Sequence, residues 1–438
     1  MFGLGTVMSK NSMSSLLITP EGIAVNRFGY GAKADEIVQA KLAPKAWIKS
    51  QLLPITFSTS LAHSNDILIE HAKYRKQKKH LKNKRKVNKD KKKTPDQSVN
   101  NMAKNYARKA LQDMSIDSLT RSITSSHSVS WRLFDFFSNH FSVSANGRLM
   151  VGLSATLERE AIGPNLLGNF EDMLLAVEQH PAMLIYLNNE RSFGPNSIMA
   201  KKRAKGLNEN LAREIMELHT LGVDGGYSQQ DVIELAKGIT GWSVKNPNKE
   251  VNAGFIFRSY GHEPGTRELL GKKYSSKGVL QGQQMLRELA RHPATAKHIC
   301  YKLAHHFVSE TPPASLLRKM EATWLKTHGN ITQVMFSLFD ANEAWLDTPQ
   351  KFKSPREFVI STYRALTPKR IPGKRLLRTL INLGQQPFNS GSPAGFSDDE
   401  NDWLGASALM ARIDWAAMIS AYGKGIEIEK LMRSALGD

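Results

Sequence analysis

The chain has 438 residues, 41% of them hydrophobic, a formal net charge of +20 and one cysteine. That apolar content excludes a disordered polymer and suffices for one large core or two ordinary ones. The lone Cys300 excludes an internal disulfide and a cysteine-built zinc module, and it reads as an inert core thiol.

The N-terminal stretch MFGLGTVMSKNSMSSLLITPEG lacks a charged segment followed by a sustained apolar run, and no long apolar run occurs elsewhere. The expectation is a soluble, cytoplasmic protein with no transmembrane segment. In TPEGIAVNRFGYGA, Thr19 is placed to cap a helix whose first residue is Pro20, and APKAWIKSQL puts Trp47 and Leu52 on a second short helix.

Between Lys73 and Lys93 the chain carries thirteen Lys or Arg against one Asp, which accounts for most of the net charge. Such a block repels itself and has little to bury, so residues 71–98 are predicted to be a basic, disordered or frayed-helical surface insertion. It divides an N-terminal helical part, residues 1–70, from residues 99–438, the two being parts of one main domain. Its first reading is a solubilising loop. Its functional reading is a hook for an acidic polymer or an anionic surface. Only Tyr74 is interleaved to stack on bases, which weakens a nucleic-acid reading. The flanking LAHSNDILIEHAKYRK and SVNNMAKNYARKALQDM read as two arms of a helical hairpin, too polar on their sides for deep core.

SVSWRLFDFFSNHFSVS spaces Trp131, Phe134, Phe137 and Phe141 as the stripe of a buried helix, with His140 on it. NFEDMLLAVEQHPAMLIYLNN gives two helices divided at His180-Pro181. Farther on, Ser228/Asp231 and Ser354/Glu357 have capping-box spacing. His180 and His292, each before a proline, read as N-caps. His305 and His306 are adjacent on a helix and cannot both face one site. Only AGFIFRS alternates like a strand, so the fold class is all-α: a large multi-helix single domain with at most a small β-hairpin. GQQPFNSGSPAGFSDDENDW reads as a long ordered loop because Phe388, Phe396 and Trp403 give it something to bury.

The richest stretch is GLNENLAREIMELHTLGVDGG. With Asn208 as cap and Gly222 past the end, a step of about 100° per residue puts Glu209, Asn210, Arg213, Glu214 and Glu217 in one arc. Leu211, Ala212, Ile215, Leu218 and His219 fall opposite. An exposed Glu209-Arg213-Glu217 ladder is explained by i,i+4 pairing alone. Facing a cleft, Glu214 and Glu217 form a like-charge pair that raises one pKa toward that of a general acid. With burial, each member of the ladder must be paired inside the protein. His219, on the apolar side, needs a partner.

These strings, together with HPAMLIYLNN, YSQQDVIELAKGITGW, HEPG, HPATAKHICYKLAHHFV and KFKSPREFVISTYRAL, resemble the bacterial family called domain of unknown function 1800 (DUF1800). The resemblance runs from Asn26 to the final helix. It implies one helical domain, in proteins that are often exported or lie beside other envelope proteins, and hence an envelope-associated partner. The lysine block departs from the family pattern. The motif residues map onto Asn139, His140 and Phe141, onto Asn208, Glu209, Asn210, Arg213, Glu214, Glu217 and His219, onto His262, Glu263 and Gly265, and onto His292. The family carries no established catalytic assignment.

Chemistry assigns Glu209, Arg213, Glu214, Glu217, His140 and His262 as catalytic candidates, with Asn208, Asn210, Asn139 and Glu263 as substrate-binding candidates. A metal held by His140, His262 and a helix glutamate lacks any supporting spacing, and no cofactor is specified. GxSxG and P-loop patterns are absent from the sequence. Two function classes follow: a hydrolase or lyase using carboxylate and histidine acid-base chemistry on a polar polymer such as a polysaccharide, or a non-catalytic binding or assembly protein that docks an acidic partner.

Overall fold

Caps and prolines start the helices where their side chains can satisfy the first free amides. Thr19 Oγ1 accepts from the Gly22 amide at 3.2 Å with Pro20 at the first helical position. Ser228 with Asp231, and Ser354 with Glu357, close reciprocal capping boxes. His180 Nδ1 and His292 Nδ1 accept from the amides of Ala182 and Ala294, both at 3.1 Å. The computed structural model describes residues 19–33, 35–87, 97–203, 206–247, 253–347 and 351–422.

The fold is all-α with two small antiparallel two-stranded sheets. β1 (Trp242–Val244) pairs with β2 (Phe255–Phe257), where alternation points to a strand, and β3 (Arg267–Leu269) pairs with β4 (Lys272–Tyr274). The second pair has no alternating signature; its turn is made by Leu270 and Gly271, both at positive φ. No helix among the described residues is long and apolar enough to cross a membrane.

One apolar cluster extends from Ile23 to Ile419. Its centre is the aromatic helix Ser128–His140, whose Trp131, Phe134 and Phe137 are buried together with Phe141. The flanking arms are helices Ser64–Val87 and Gln97–Thr124, which pack on each other. Their ends nearest the core are more buried than their polar composition implies: Ile67, Leu68, Met114, Leu119 and Ile123 all join the core. The basic block is also corrected in part. Residues 73–87 continue the first arm as regular helix, since Tyr74 is buried beneath Arg148 and gives the arm an anchor. Residues 88–96 lie outside the described residues.

Three short π-helical turns interrupt the α-helices, at Ala24–Phe28, Glu158–Ile162 and Ile215–His219. Such turns each accommodate an extra residue and re-aim the side chains that follow. The long loop before the last helix is fixed from both sides. Asn139 Nδ2 donates to the Phe396 carbonyl at 2.7 Å, and the Phe396 amide donates to Asn139 Oδ1 at 2.8 Å. Gly395, at φ +85°, lies so close that a Cβ there would meet the Asn139 carbonyl oxygen at 2.5 Å.

Candidate active site

The helix expected to be capped by Asn208 starts one residue later, with Glu209 at the N-cap and Asn210 as its first residue, while Asn208 Oδ1 accepts from the Asn210 amide at 2.9 Å. It is α-helical only over Asn210–Glu214 and then widens into the π turn Ile215–His219. The wheel drawn at α-helical pitch therefore fails beyond Glu214. The ladder is also not enclosed. Glu209 and Arg213 pair at 3.2 Å on a half-exposed face, and Gln229 bonds to both. Glu217 has no ion-pair partner among the described residues, and Asn210 is exposed. Buried pairing of all three ladder residues is thus corrected, because the face that carries them meets solvent.

Glu214 is half-buried, and burial raises its pKa, with Glu217 and Glu178 adding repulsion and His219 opposing. The direction agrees with a like-charge pair, but desolvation is the larger cause. His219 finds its partner in Glu178: Nδ1–H donates to Oε1 at 2.8 Å with both side chains buried, and the other Glu178 oxygen has no partner.

Two imidazoles close the end of the π turn. His140 Nε2–H donates to the His219 carbonyl and His298 Nε2–H to the Leu218 carbonyl, both at 3.2 Å. They satisfy carbonyls that a helix end leaves free. His140 Nδ1 accepts from Lys302 Nζ at 3.1 Å. Burial, then Lys302, holds His140 well below the usual imidazole range, and burial with Lys302 brings His298 down to about 4. Gly222, at φ +84°, leaves room for His298, since a Cβ would approach Nδ1 to 2.8 Å. Both His140 nitrogens are occupied, so this histidine caps a helix and is no free base.

His262 and Glu263 belong to a different knot. His262 Nδ1–H donates to the Thr240 carbonyl at 2.9 Å, and burial lowers its pKa. Glu263 takes the Asn196 amide and side chain at 2.8 and 2.7 Å. Neither has a hydrogen bond or ring contact to His140 among the described residues, so the proposed His140, His262 and helix-glutamate grouping is not assembled. No group of three or more His, Cys, Asp or Glu among the described residues is placed to hold a metal ion. Asn139 lines a cavity, but its amide is committed to Phe396.

That cavity, about 120 Å³, lies between the aromatic helix, the π turn Glu158–Ile162, the start of helix Pro355–Leu366 and the long loop. Its wall holds Asp135, Glu158, Arg356, His306 and Asp398, with Phe141, Phe388 and Phe396 beside them. Arg356 grips Asp135 with two bonds, Nε at 2.6 Å and Nη2 at 2.9 Å, and reaches Ser118 Oγ at 3.0 Å. Tyr30 donates its hydroxyl proton to the same carboxylate.

Glu158 stands beside this pair. Burial drives its carboxyl up; Arg356 pulls down and Asp135 pushes up, leaving it at about 8. At neutral pH Glu158 is an acid carrying its proton next to an ion-paired carboxylate. Two residues on, Glu160 has the opposite fate. Burial raises it, but bonds from His180 and from the amide and hydroxyl of Ser64 prevail, so it falls to about 2. Environments that split like groups in this way assign acid and base roles.

Opposite them, His306 Nδ1–H donates to Asp398 at 2.8 Å, and His306 Nε2 is buried without a partner. Burial tends to raise Asp398, but His306, Lys302 and Lys351 hold its carboxyl far below the usual range. His305 pairs separately with Glu310 at 3.1 Å. No motif in the sequence singles out Asp135, Glu158, Arg356 or Asp398, and His306 appears there only as the neighbour of His305. One signal was available: Asp135 is an acid in the middle of an aromatic helix buried all round, where a carboxylate requires a partner.

The basic arm faces a separate trough, lined by Arg75, Lys76 and Lys79 across from Arg191 and Lys245, with Leu68, Leu149 and Ile185 beneath.

Residues 23–438 match the family described as "Protein of unknown function (DUF1800)". No curated protein and no solved structure matches the chain.

Proposed function

We propose that this chain, which belongs to the DUF1800 family, is a hydrolase acting in the cavity around Asp135 and Glu158, on an oxygen-linked bond of a polar, saccharide-like substrate. The observation that carries the reading is Glu158, whose carboxyl burial pushes up to about 8, lining the same cavity as the Arg356-gripped Asp135. Glu158 donates its proton to the leaving oxygen, and Asp135 accepts a proton from the attacking water. Arg356 holds Asp135 in position with two bonds. The buried His306-Asp398 pair, with a free ring nitrogen, supports a second proton acceptor on the facing wall. Serines 138, 142, 154 and 397 and the phenylalanine edges suit a hydroxyl-rich ring.

The Glu209, Arg213 and Glu217 face is in this reading a solvated ladder outside the reaction centre. Glu158→Gln and Asp135→Asn keep shape and remove the proton chemistry. Against a panel of glycosides and esters, each variant is expected to fold and to lose about 10²–10⁴-fold in kcat. The wild-type rate falls as pH rises through about 8, where Glu158 gives up its proton. Full activity in both variants overturns the assignment, as does a wild type inactive across the panel.

A further inference from the structure

A second cavity of about 150 Å³ shares Tyr30 and Glu357 with the first and is lined by Arg27, Arg132, Lys351 and Lys353. Four cations line it beside one carboxylate. Glu357 is taken by Arg132 at 2.8 Å, Lys351 is paired with Glu310, and Asp347 acts on Arg27. Lys353 has no ion-pair partner among the described residues. Arg132 is fixed in the wall: its terminal nitrogens serve Glu357 and the carbonyls of Arg27 and His306, and its Nε–H is buried. Phe307, Val308 and Phe352 complete the wall with apolar surface.

We propose that this cavity is a carboxylate-binding site in which the Lys353 ammonium receives the carboxylate of an acid with a short hydrocarbon body. Lys353 is the lining cation without an ion-pair partner among the described residues, and a monoanion matches it where a phosphate dianion overshoots. The apolar wall takes carbon and not hydration shell. A desolvated cation without a partner is costly, and a charge-assisted bond to a carboxylate offsets that cost. Burial brings Lys353 down to about 8, Glu357 resisting and Arg132 reinforcing, so it remains a cation at neutral pH. That the acid is one end of the hydrolase substrate rests on the preceding reading. The binding itself does not.

The test is a titration of the full chain with trifluoroacetate, followed by fluorine NMR at constant ionic strength in chloride. Saturable binding is expected, with displacement by propionate. Lys353→Met should weaken it at least about tenfold, the value of one charge-assisted hydrogen bond, and Lys353→Arg should hold it within about threefold. Melting curves show that both variants fold; Lys353→Met is expected to melt at least as high as wild type in chloride, having lost a half-buried charge without an ion-pair partner. Equal binding by wild type and Lys353→Met overturns the inference, as do absence of saturable binding and stronger displacement by phosphate than by propionate. A protein that binds the probe yet hydrolyses nothing keeps this site and removes the hydrolase.

Discussion

Helix Pro355–Leu366 carries two arginines that each grip a carboxylate with two bonds, and they do opposite things. Arg364 lies fully buried. It holds Glu36 at 2.7 and 2.6 Å and spends its remaining donors on the carbonyls of Gly31, Ser122, Ile123 and Ser125. Arg356 holds Asp135 just as closely, but its surroundings include a third carboxyl, Glu158, and a cavity. In the first cluster every donor is spent and nothing can enter. The second has a proton that can move and space beside it. Saturation distinguishes a buried ion pair that ties the chain together from one poised for chemistry.

The sharpest way to break this comparison is to remove each arginine. Arg364→Ala strands a buried Glu36 and is expected to cost about 3–5 kcal/mol in urea unfolding. Arg356→Ala leaves Asp135 still bonded to Tyr30 and open to cavity water, and should cost about 1–3 kcal/mol. Equal losses would mean that the cavity gives Asp135 no relief and that both clusters are structural.

Next in size is the dependence of stability on pH. Folded Glu158 keeps a proton to about 8 that the unfolded chain releases near 4.5, so its contribution to stability is lost as pH rises between those values. Glu158→Gln should flatten the fall of the unfolding free energy across that window. On the acid side the sign reverses. His298 stays neutral in the fold down to about 4, while the unfolded chain binds the proton near 6.5. Stability therefore drops as pH falls from 6.5 toward 4. His298→Gln keeps a donor for the Leu218 carbonyl and should make that limb shallower; an unchanged limb assigns it to His140 and the other buried histidines.

The smallest effect belongs to the surface. Arg213→Ala removes a half-exposed pair with Glu209 and should shift stability by under about 0.5 kcal/mol. A loss of several times that would return the ladder to the interior network.

Local rules were readable because they act over a few residues. The capping boxes at Ser228 and Ser354, the histidine N-caps and the aromatic stripe from Trp131 to Phe141 each follow from spacing alone. The ordered loop followed from Phe388, Phe396 and Trp403, and Asn139 proved to be the clamp that holds it. The cavity was not readable for the converse reason. Asp135, Glu158, Arg356 and Asp398 come from four separated segments, and nothing in their spacing says that they converge. The mixed-charge run from Glu209 to Glu217 stands out in the sequence instead, and such runs are what solvent tolerates best. The π turn added a second error, since it breaks the periodicity on which any helical wheel depends.

That turn sets an unusual limit on how the gene can vary. Loss of one codon between Ile215 and His219 would keep every neighbouring residue type and yield an ordinary α-helix, a better helix by local criteria. It would also rotate His219 by about 100° away from Glu178 and draw the carbonyls of Leu218 and His219 off His298 and His140. A substitution at His219 removes only the bond to Glu178 and leaves both carbonyls in place, whereas an in-frame deletion of three nucleotides undoes all three contacts at once.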